Sequence, residues 1–162
     1  MRAVVQRITW AEVEVEGRAI GRVEKGLLVY LGIAPTDTQG DAERLAEKVA
    51  GLRIFPDDTG KLNICVRDVR GGVLAIPNFT LLADARKGCR PAFDSAAPQP
   101  VAQPLYDAFV AALRMQGCVT QCGVFGADMK ICSQADGPVN IILDMPPRQE
   151  GAARAESRET PD

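Results

Sequence analysis

Residues 27–34, LLVYLGIA, form a continuous apolar run bounded by Gly26 and Pro35. Such a run is typical of a strand that lies at the centre of a sheet and is covered on both faces. Just before it, residues 12–16 alternate valine and glutamate, which predicts a half-buried strand with one face in water. Residues 19–24 repeat that pattern. The first part of the chain therefore predicts strands that pair around a buried central one.

Beyond this run the spacing of apolar residues changes from two to three and four. Over residues 40–52 the apolar positions are Ala42, Leu45, Ala46, Val49 and Leu52. This spacing predicts an amphipathic helix, capped by Thr38 or Asp41. A second helix is predicted near 101–116, with Pro104 in the first turn, where a missing N–H costs little.

Further strands are predicted at residues 73–76 and within 118–144, where apolar runs are separated by turn residues. Strands combined with two helices in this order predict an α+β fold. We expect a curled, barrel-like sheet with the amphipathic helices packed on one side. Residues 1–145 form one domain, and residues 146–162, which have little to bury, are predicted to be a disordered tail.

The composition is that of a soluble globular protein, since 46% of the 162 residues are hydrophobic and 25% are charged. No apolar run reaches the length of a membrane helix, and the first residues lack the pattern of an export signal. We therefore expect a cytoplasmic protein. The net charge of −2 argues against a general nucleic-acid binder but not against one that grips the end of an RNA.

The absence of histidine restricts the chemistry more than any other property of the composition. It excludes Ser-His-Asp and Cys-His nucleophiles and every histidine-ligated metal site. The five cysteines are an odd, scattered set, best interpreted as free thiols in a reducing compartment. A closed zinc site is not expected, and we expect neither a metal nor a cofactor.

Three short segments are candidates for a functional site, although each has an ordinary structural interpretation. Residues 77–80, PNFT, suit a strand end at which a threonine hydroxyl bonds the backbone. Residues 136–140, DGPVN, suit a turn, and their Gly-Pro bond, if cis, would point two carbonyls the same way. Residues 85–90, ARKGCR, suit a solvated loop, or a phosphate clamp if they lie near an active site.

Taken together, these segments are similar in order and spacing to the D-aminoacyl-tRNA deacylases. The resemblance covers residues 1–144 and is carried by MRAVVQR, DTQGDAERLAEKVAGLRIF, GKLN, NFTLLAD, KGCRPAF, FGADM and DGPVN. It implies a homodimer that hydrolyses the ester between a D-amino acid, or glycine, and the terminal adenosine of tRNA. L-aminoacyl-tRNA is spared by such enzymes.

The resemblance also implies a pocket shared between two subunits. Gly137 and Pro138 match a Gly-cisPro pair that reaches from one subunit into the other and fixes the amino group of the substrate with its carbonyls. Arg7 matches the arginine that holds this pair in position. Further substrate-binding residues are implied at Phe125, Met129 and Asn140.

The reacting ester is expected beside Asn78, Phe79 and Thr80, which match the motif that lines it in the family. The family is thought to use the 2′-hydroxyl of the substrate or a bound water, so that the protein supplies positioning and hydrogen bonds to the oxyanion. Because the sequence offers no base to activate it, Thr80 is interpreted as a positioning group rather than a nucleophile. Contacts with the RNA end are implied for Arg86, Lys87 and Arg90.

Three positions depart from the usual motifs of the family. Its Ser-Gln-Phe-Thr reads Pro77-Asn78-Phe79-Thr80 here, and its Gly-Pro-Val-Thr ends in Asn140. Proline removes a hydroxyl and a backbone N–H. The departures leave open a deacylase of the same fold with relaxed or shifted selectivity, and a non-catalytic binder of tRNA 3′ ends. A thiol-dependent hydrolase that uses Cys89 or Cys132 is a more distant alternative.

Overall fold

The computed structural model describes residues 1–146, and the sheet is organised around one long strand, β1 (Arg2–Val15). The other elements are β2 (Arg18–Val23), β3 (Gly26–Gly32), α1 (Gln39–Ala50), β4 (Phe55–Pro56), β5 (Leu62–Ile64), β6 (Gly72–Pro77), a 3-10 helix (Phe79–Leu82), α2 (Gln99–Met115), β7 (Val119–Cys122) and β8 (Lys130–Asp144). The predicted tail lies, apart from Pro146, outside the described residues.

Strand β1 has antiparallel neighbours on both of its edges. On one edge its first half pairs with β3 and its second half with β2, while β8 runs along the other edge from end to end. The apolar run 27–34 supplies β3, which lies between β1 and β6. Six of the seven positions of this strand are buried, and the exception, Tyr30, is half-buried. This central position confirms the prediction made from its continuous apolar character.

The sheet curls into a nearly closed barrel. Its strands follow the order β2-β1-β3-β6-β7, with β3, β6 and β7 parallel to one another. The two ends of this series approach each other, because a Cβ atom at Gly21 of β2 would lie 3.3 Å from the carbonyl oxygen of Cys122 in β7. The predicted curled, barrel-like sheet is therefore confirmed.

Two apolar clusters hold this arrangement together. The smaller fills the inside of the curl and is formed by Ile8, Ala11, Val13, Val23, Leu28, Leu74 and Ile76. The larger lies between the sheet and the two helices, where Leu45, Val49, Phe109 and Leu113 are fully buried. Both helices thus cover one face of the sheet, as the pattern predicted.

The helix ends match the predictions only in part. Thr38 caps α1, since its hydroxyl accepts from the Asp41 N–H while the Asp41 carboxylate accepts from the Thr38 N–H. The prediction that Pro104 occupies the first turn of the second helix is wrong. Helix α2 begins earlier, at Gln99, and Pro100 takes the first-turn position, which leaves Pro104 inside the helix.

Within residues 1–146, no helix combines the length and the apolar character that are needed to span a membrane.

Candidate functional site

The carboxyl ends of β3, β6 and β7 meet at one edge of the sheet because these strands are parallel neighbours. The chain that leaves β6 carries the segment 77–80, and the chain that leaves β7 carries the segment 123–129. In sheets of this kind, the loops beyond the carboxyl ends of parallel strands are a usual place for ligands. The fold therefore brings two of the sequence motifs to one edge.

The turn after β6 is organised by Asn78. Its backbone N–H donates to the carbonyl oxygen of Leu31 over 2.8 Å, and its side-chain oxygen accepts from the N–H of Thr80 over 3.1 Å. The Thr80 hydroxyl donates to the same amide oxygen. An amide oxygen is not a base near neutral pH, so this geometry gives Thr80 no proton acceptor that would make it a nucleophile.

An exposed aromatic pair stands next to this turn. Phe79, which is 56% exposed, meets the ring of Phe93 edge to face with 5.1 Å between the centroids. Sequence analysis did not single out Phe93. Its signal was its place at the end of the motif KGCRPAF.

The basic loop is closed at its base by two hydrogen bonds of 2.8 Å between the backbones of Asp84 and Ala92. Arg86 is bound to the carboxylate of Asp84, with 2.6 Å between Nη2 and Oδ2. Hydrogen bonds from Arg86 hold the pKa of the Asp84 carboxyl below its usual range. Lys87 and Arg90 are exposed and form no ion pair with any residue of the described chain. Two of the three predicted RNA contacts therefore carry a charge that is not already balanced.

The segment after β7 contacts the turn after β6. Gly123 donates its N–H to the carbonyl oxygen of Ala75 over 2.9 Å, and a Cβ atom on it would lie 2.7 Å from Met129 Sδ and 3.3 Å from Pro77 Cδ. The ring of Phe125, in the same segment, lies 6.2 Å from that of Tyr106 in α2. The predicted pocket residues Phe125 and Met129 are thus on the same side of the sheet as the turn 77–80.

Gly137 and Pro138 lie in β8, where the peptide bond between them is cis and both residues are exposed. Arg7 of β1, only 8% exposed, reaches this strand from below the surface. Its Nε donates to the Asp136 carbonyl oxygen over 3.2 Å and lies 3.1 Å from the Asp136 carboxylate. Its Nη1 donates to the Ile54 carbonyl oxygen over 2.7 Å. Arg7 therefore anchors the strand at the Gly-Pro pair.

The Gly-Pro pair and the turn after β6 are not brought together within one chain. Leu31 pairs with both Ala3 and Pro77, whereas Gly137 lies beside Arg7, four residues farther along β1. At ~3.3 Å per residue and ~4.8 Å per strand, the two motifs are separated by about 13 Å along the strands and about 14 Å across them. Asn140, another predicted substrate-binding residue, lies on β8 near the Gly-Pro pair. Its side-chain oxygen accepts a hydrogen bond from Gln6 Nε2 over 3.0 Å.

A cleft of about 1130 Å³ runs between α1 and α2, and none of the predicted site residues lines it. Within residues 1–146 there is no group of three or more cysteine, aspartate or glutamate side chains placed to hold a metal ion.

Comparison with known proteins identifies what the chain is similar to. Residues 4–144 match the model of the D-Tyr-tRNA(Tyr) deacylase family. The D-aminoacyl-tRNA deacylase of Geobacter sulfurreducens is 51% identical over 144 residues, which cover 89% of this chain and 95% of that protein. The D-aminoacyl-tRNA deacylase of Koribacter versatilis is 53% identical over 144 residues, or 89% of this chain and 97% of that one.

Two solved structures have the same fold. One, described as c-Myc DNA Unwinding Element Binding Protein, is 39% identical with a TM-score of 0.84 and aligns over 90% of this chain and 99% of its own. The other, a probable eukaryotic D-amino acid tRNA deacylase, has a TM-score of 0.78 over 89% of this chain and 98% of its own. At 16% identity, the second likeness concerns the fold alone.

Proposed function

The chain belongs to the D-Tyr-tRNA(Tyr) deacylase family, and from that premise we propose that it hydrolyses the ester bond of D-aminoacyl-tRNA. The products are free D-amino acid and tRNA, and the reaction is a chiral proofreading step of translation in the cytoplasm. The observation that carries the proposal is the identity of about half of all residues with D-aminoacyl-tRNA deacylases over 89% of the chain. We extend the substrate range to glycyl-tRNA on the basis of the motif resemblance.

The active protein in this proposal is a homodimer whose two pockets each contain residues from both subunits. The separation of the Gly-Pro pair from the turn 77–80 supports this arrangement, since one chain cannot close a pocket around a single ester with both motifs. Gly137 and Pro138 are exposed on β8, as a group that reaches into a partner must be. Ile142, farther along the same strand, is 66% exposed and is suited to burial in such an interface.

Within the pocket, the carbonyl oxygens of Gly137 and Pro138 accept from the ammonium group of the substrate. Because these are backbone groups, they test the configuration at Cα by position alone and leave no room for the side chain of an L-amino acid. Arg7 supports them through Asp136. An arginine that is nearly buried and bound to a backbone carbonyl fixes that backbone more firmly than an exposed one.

The ester is held at the start of the 3-10 helix. Phe79 is the first residue of that helix, so its backbone N–H has no partner within it and is available to the developing oxyanion. Thr80 and Asn78 shape this turn through their mutual hydrogen bonds. A water molecule then attacks the ester carbonyl carbon, and the neighbouring ribose hydroxyl of the substrate assists it by hydrogen bonding. The bond between the carbonyl carbon and the ribose oxygen breaks, and the proton lost by the water passes to that oxygen, so that no histidine base is needed.

The RNA end follows the basic loop, where Lys87 and Arg90 contact phosphates. Their exposure and their lack of ion-pair partners in the described chain support this assignment. Arg86 contributes less, because Asp84 already balances its charge.

The selectivity for D-amino acids is the part of the proposal most exposed to the departures from the family motifs. Asn78 retains an amide that organises the turn, but Pro77 cannot supply the hydroxyl or the N–H of the usual serine. Asn140 is held by Gln6 rather than left free in the pocket. A deacylase with relaxed selectivity, or a binder without turnover, is therefore the alternative that the first experiment must separate.

Single-turnover hydrolysis of D-tyrosyl-, L-tyrosyl- and glycyl-tRNA tests the function directly. Loss of the D-tyrosyl and glycyl esters alone is the expected result. Loss of the L-tyrosyl ester as well would establish relaxed selectivity. Tight binding of all three esters without hydrolysis at high protein concentration would refute the enzymatic proposal.

A further inference from the structure

One backbone oxygen near the site accepts two hydrogen bonds from different elements. The carbonyl oxygen of Ala75, two residues before the end of β6, accepts from the Gly123 N–H over 2.9 Å and from the Tyr106 hydroxyl over 2.9 Å. Gly123 follows β7, and Tyr106 lies in the middle of α2. A single atom thus ties together the two strands that lead into the site and the helix that covers them.

The hydroxyl of Tyr106 is a buried donor. Tyr106 is 3% exposed, and burial raises the pKa of its phenol, so it stays protonated and acts as a donor. Its ring lies 6.2 Å from that of Phe125, in the segment that follows Gly123. Tyr106 therefore contacts both the end of β6, through its hydroxyl, and the pocket segment, through its ring.

Gly123 is the point at which the two site segments touch. A Cβ atom here would lie 2.7 Å from Met129 Sδ, 3.2 Å from Ile76 Cδ1 and 3.3 Å from Pro77 Cδ. A side chain at this position would displace the Met129 side chain from the turn 77–80 and press on Ile76 and Pro77. Glycine permits the observed approach without these shifts.

We propose that Tyr106 and Gly123 are positioning residues of the deacylase: they hold the segment 125–129 against the turn 77–80 and so fix the pocket relative to the ester. Neither residue needs to touch the substrate. The proposal rests on the function and site proposed above. It predicts that small changes at either residue act on the chemical step rather than on the affinity for tRNA.

Tyr106→Phe removes the hydroxyl and keeps the ring. The single-turnover rate of D-tyrosyl-tRNA hydrolysis at saturating protein is expected to fall about tenfold to a hundredfold, the range reached when a small displacement disturbs a reacting geometry. The KM for the tRNA should stay within about twofold, since the RNA contacts are elsewhere. Tyr30→Phe is the matched control, because the Tyr30 hydroxyl forms no hydrogen bond within residues 1–146.

A purely structural role for Tyr106 makes a different prediction. In that case Tyr106→Phe lowers the melting temperature while the saturated rate, measured well below that temperature, equals that of the unaltered protein. This result would overturn the proposal, and so would a rise in KM at an unchanged saturated rate.

Gly123→Ala gives an independent test at the other residue. Its rate should fall for the same reason, and Met129→Ala should offset part of that fall by removing the closest atom. The loss in the double variant is then smaller than the product of the two single losses, as expected for residues in contact. Losses that simply multiply would contradict the proposed contact.

Different results would overturn the proposed function and the positioning role. If the unaltered protein hydrolyses none of the three esters, the proposed function and the positioning role are both overturned. If the unaltered protein is active and Tyr106→Phe matches it in saturated rate, only the positioning role is overturned.

Discussion

Replacing Gly137 by alanine places a methyl group where the backbone and a buried arginine already lie. The new Cβ atom would be 2.8 Å from Val139 Cγ2, 2.9 Å from the Val139 backbone nitrogen and 3.2 Å from Arg7 Nη2. Gly137 also has a φ of +125°, a backbone angle that residues other than glycine rarely adopt. The backbone nitrogen cannot be moved by a change of rotamer, so the strand at the Gly-Pro pair must shift.

The cost of this change has a conformational part and a functional part. Holding a non-glycine residue in a sparsely populated backbone region costs on the order of 1–3 kcal/mol, which should appear as a lower free energy of unfolding. A shift of about 1 Å in the carbonyls that hold the amino group should lower the rate about 10²-fold. The expected phenotype is therefore a folded protein with a much reduced rate.

The assay is single-turnover hydrolysis of D-tyrosyl-tRNA at saturating protein, together with urea unfolding of the same preparation. Gly60→Ala is the matched control, because Gly60 also has a positive φ of +80° but no atom within 4 Å of its added Cβ. It should lose stability and keep its rate. A Gly137→Ala variant that hydrolyses as fast as the unaltered protein would refute the role assigned to this pair.

Three further predictions concern the ester, the RNA and the first helix. Thr80→Ala should cost about 1 kcal/mol in the barrier, or about fivefold in single-turnover rate, and near-complete inactivity would instead indicate covalent chemistry at Thr80. Lys87→Ala and Arg90→Ala should each raise the KM for tRNA and reduce the slope of log KM against log salt concentration by about 0.7. Arg86→Ala serves as the control, and an equal effect of that substitution would contradict the assignment. Burial disfavours the ionised Asp41 carboxylate, but its hydrogen bonds and its ion pair outweigh this effect and lower its pKa. The stability that the carboxylate contributes is therefore fully present above its unfolded pKa of about 3.9. It is lost as the pH falls through the folded pKa. The difference in free energy of unfolding between the protein and Asp41→Asn should therefore shrink on acidification in urea titrations at several pH values, and a difference that does not change with pH would exclude this role.

Local sequence patterns predicted most of the secondary structure. The run 27–34 indicates burial on both faces, and the valine–glutamate alternation at 12–16 indicates burial on one face. Both segments lie in the expected strands. The helix over 40–52 followed from the spacing of its apolar residues. Residue type offered two caps, Thr38 and Asp41, and the structure places Thr38 at the cap with Asp41 three residues inside the helix. Pro104 was misplaced because a local pattern does not show whether tertiary packing will extend a helix toward Pro98.

The sequence by itself also determined the family, since whole motifs in a given order are retained even when single positions change. What it left undecided was the geometry between motifs. The pairing of β1 with β8 joins residues about 130 apart, so only the folded chain shows that Arg7 anchors Asp136 and the Gly-Pro pair. The same holds for the distance that separates this pair from the turn 77–80.

Tertiary structure likewise decided which polar groups are already satisfied. In the sequence, Arg86 looks like Lys87 and Arg90, three cationic residues of one basic loop. In the folded chain, however, Arg86 forms an ion pair with Asp84. Tyr106 and Gly123 had no signal in a helix pattern or a turn, because their roles depend on the carbonyl oxygen of Ala75, a backbone atom on another strand. Side-chain type determines what each residue can bind, and the packing of distant segments determines what it does bind.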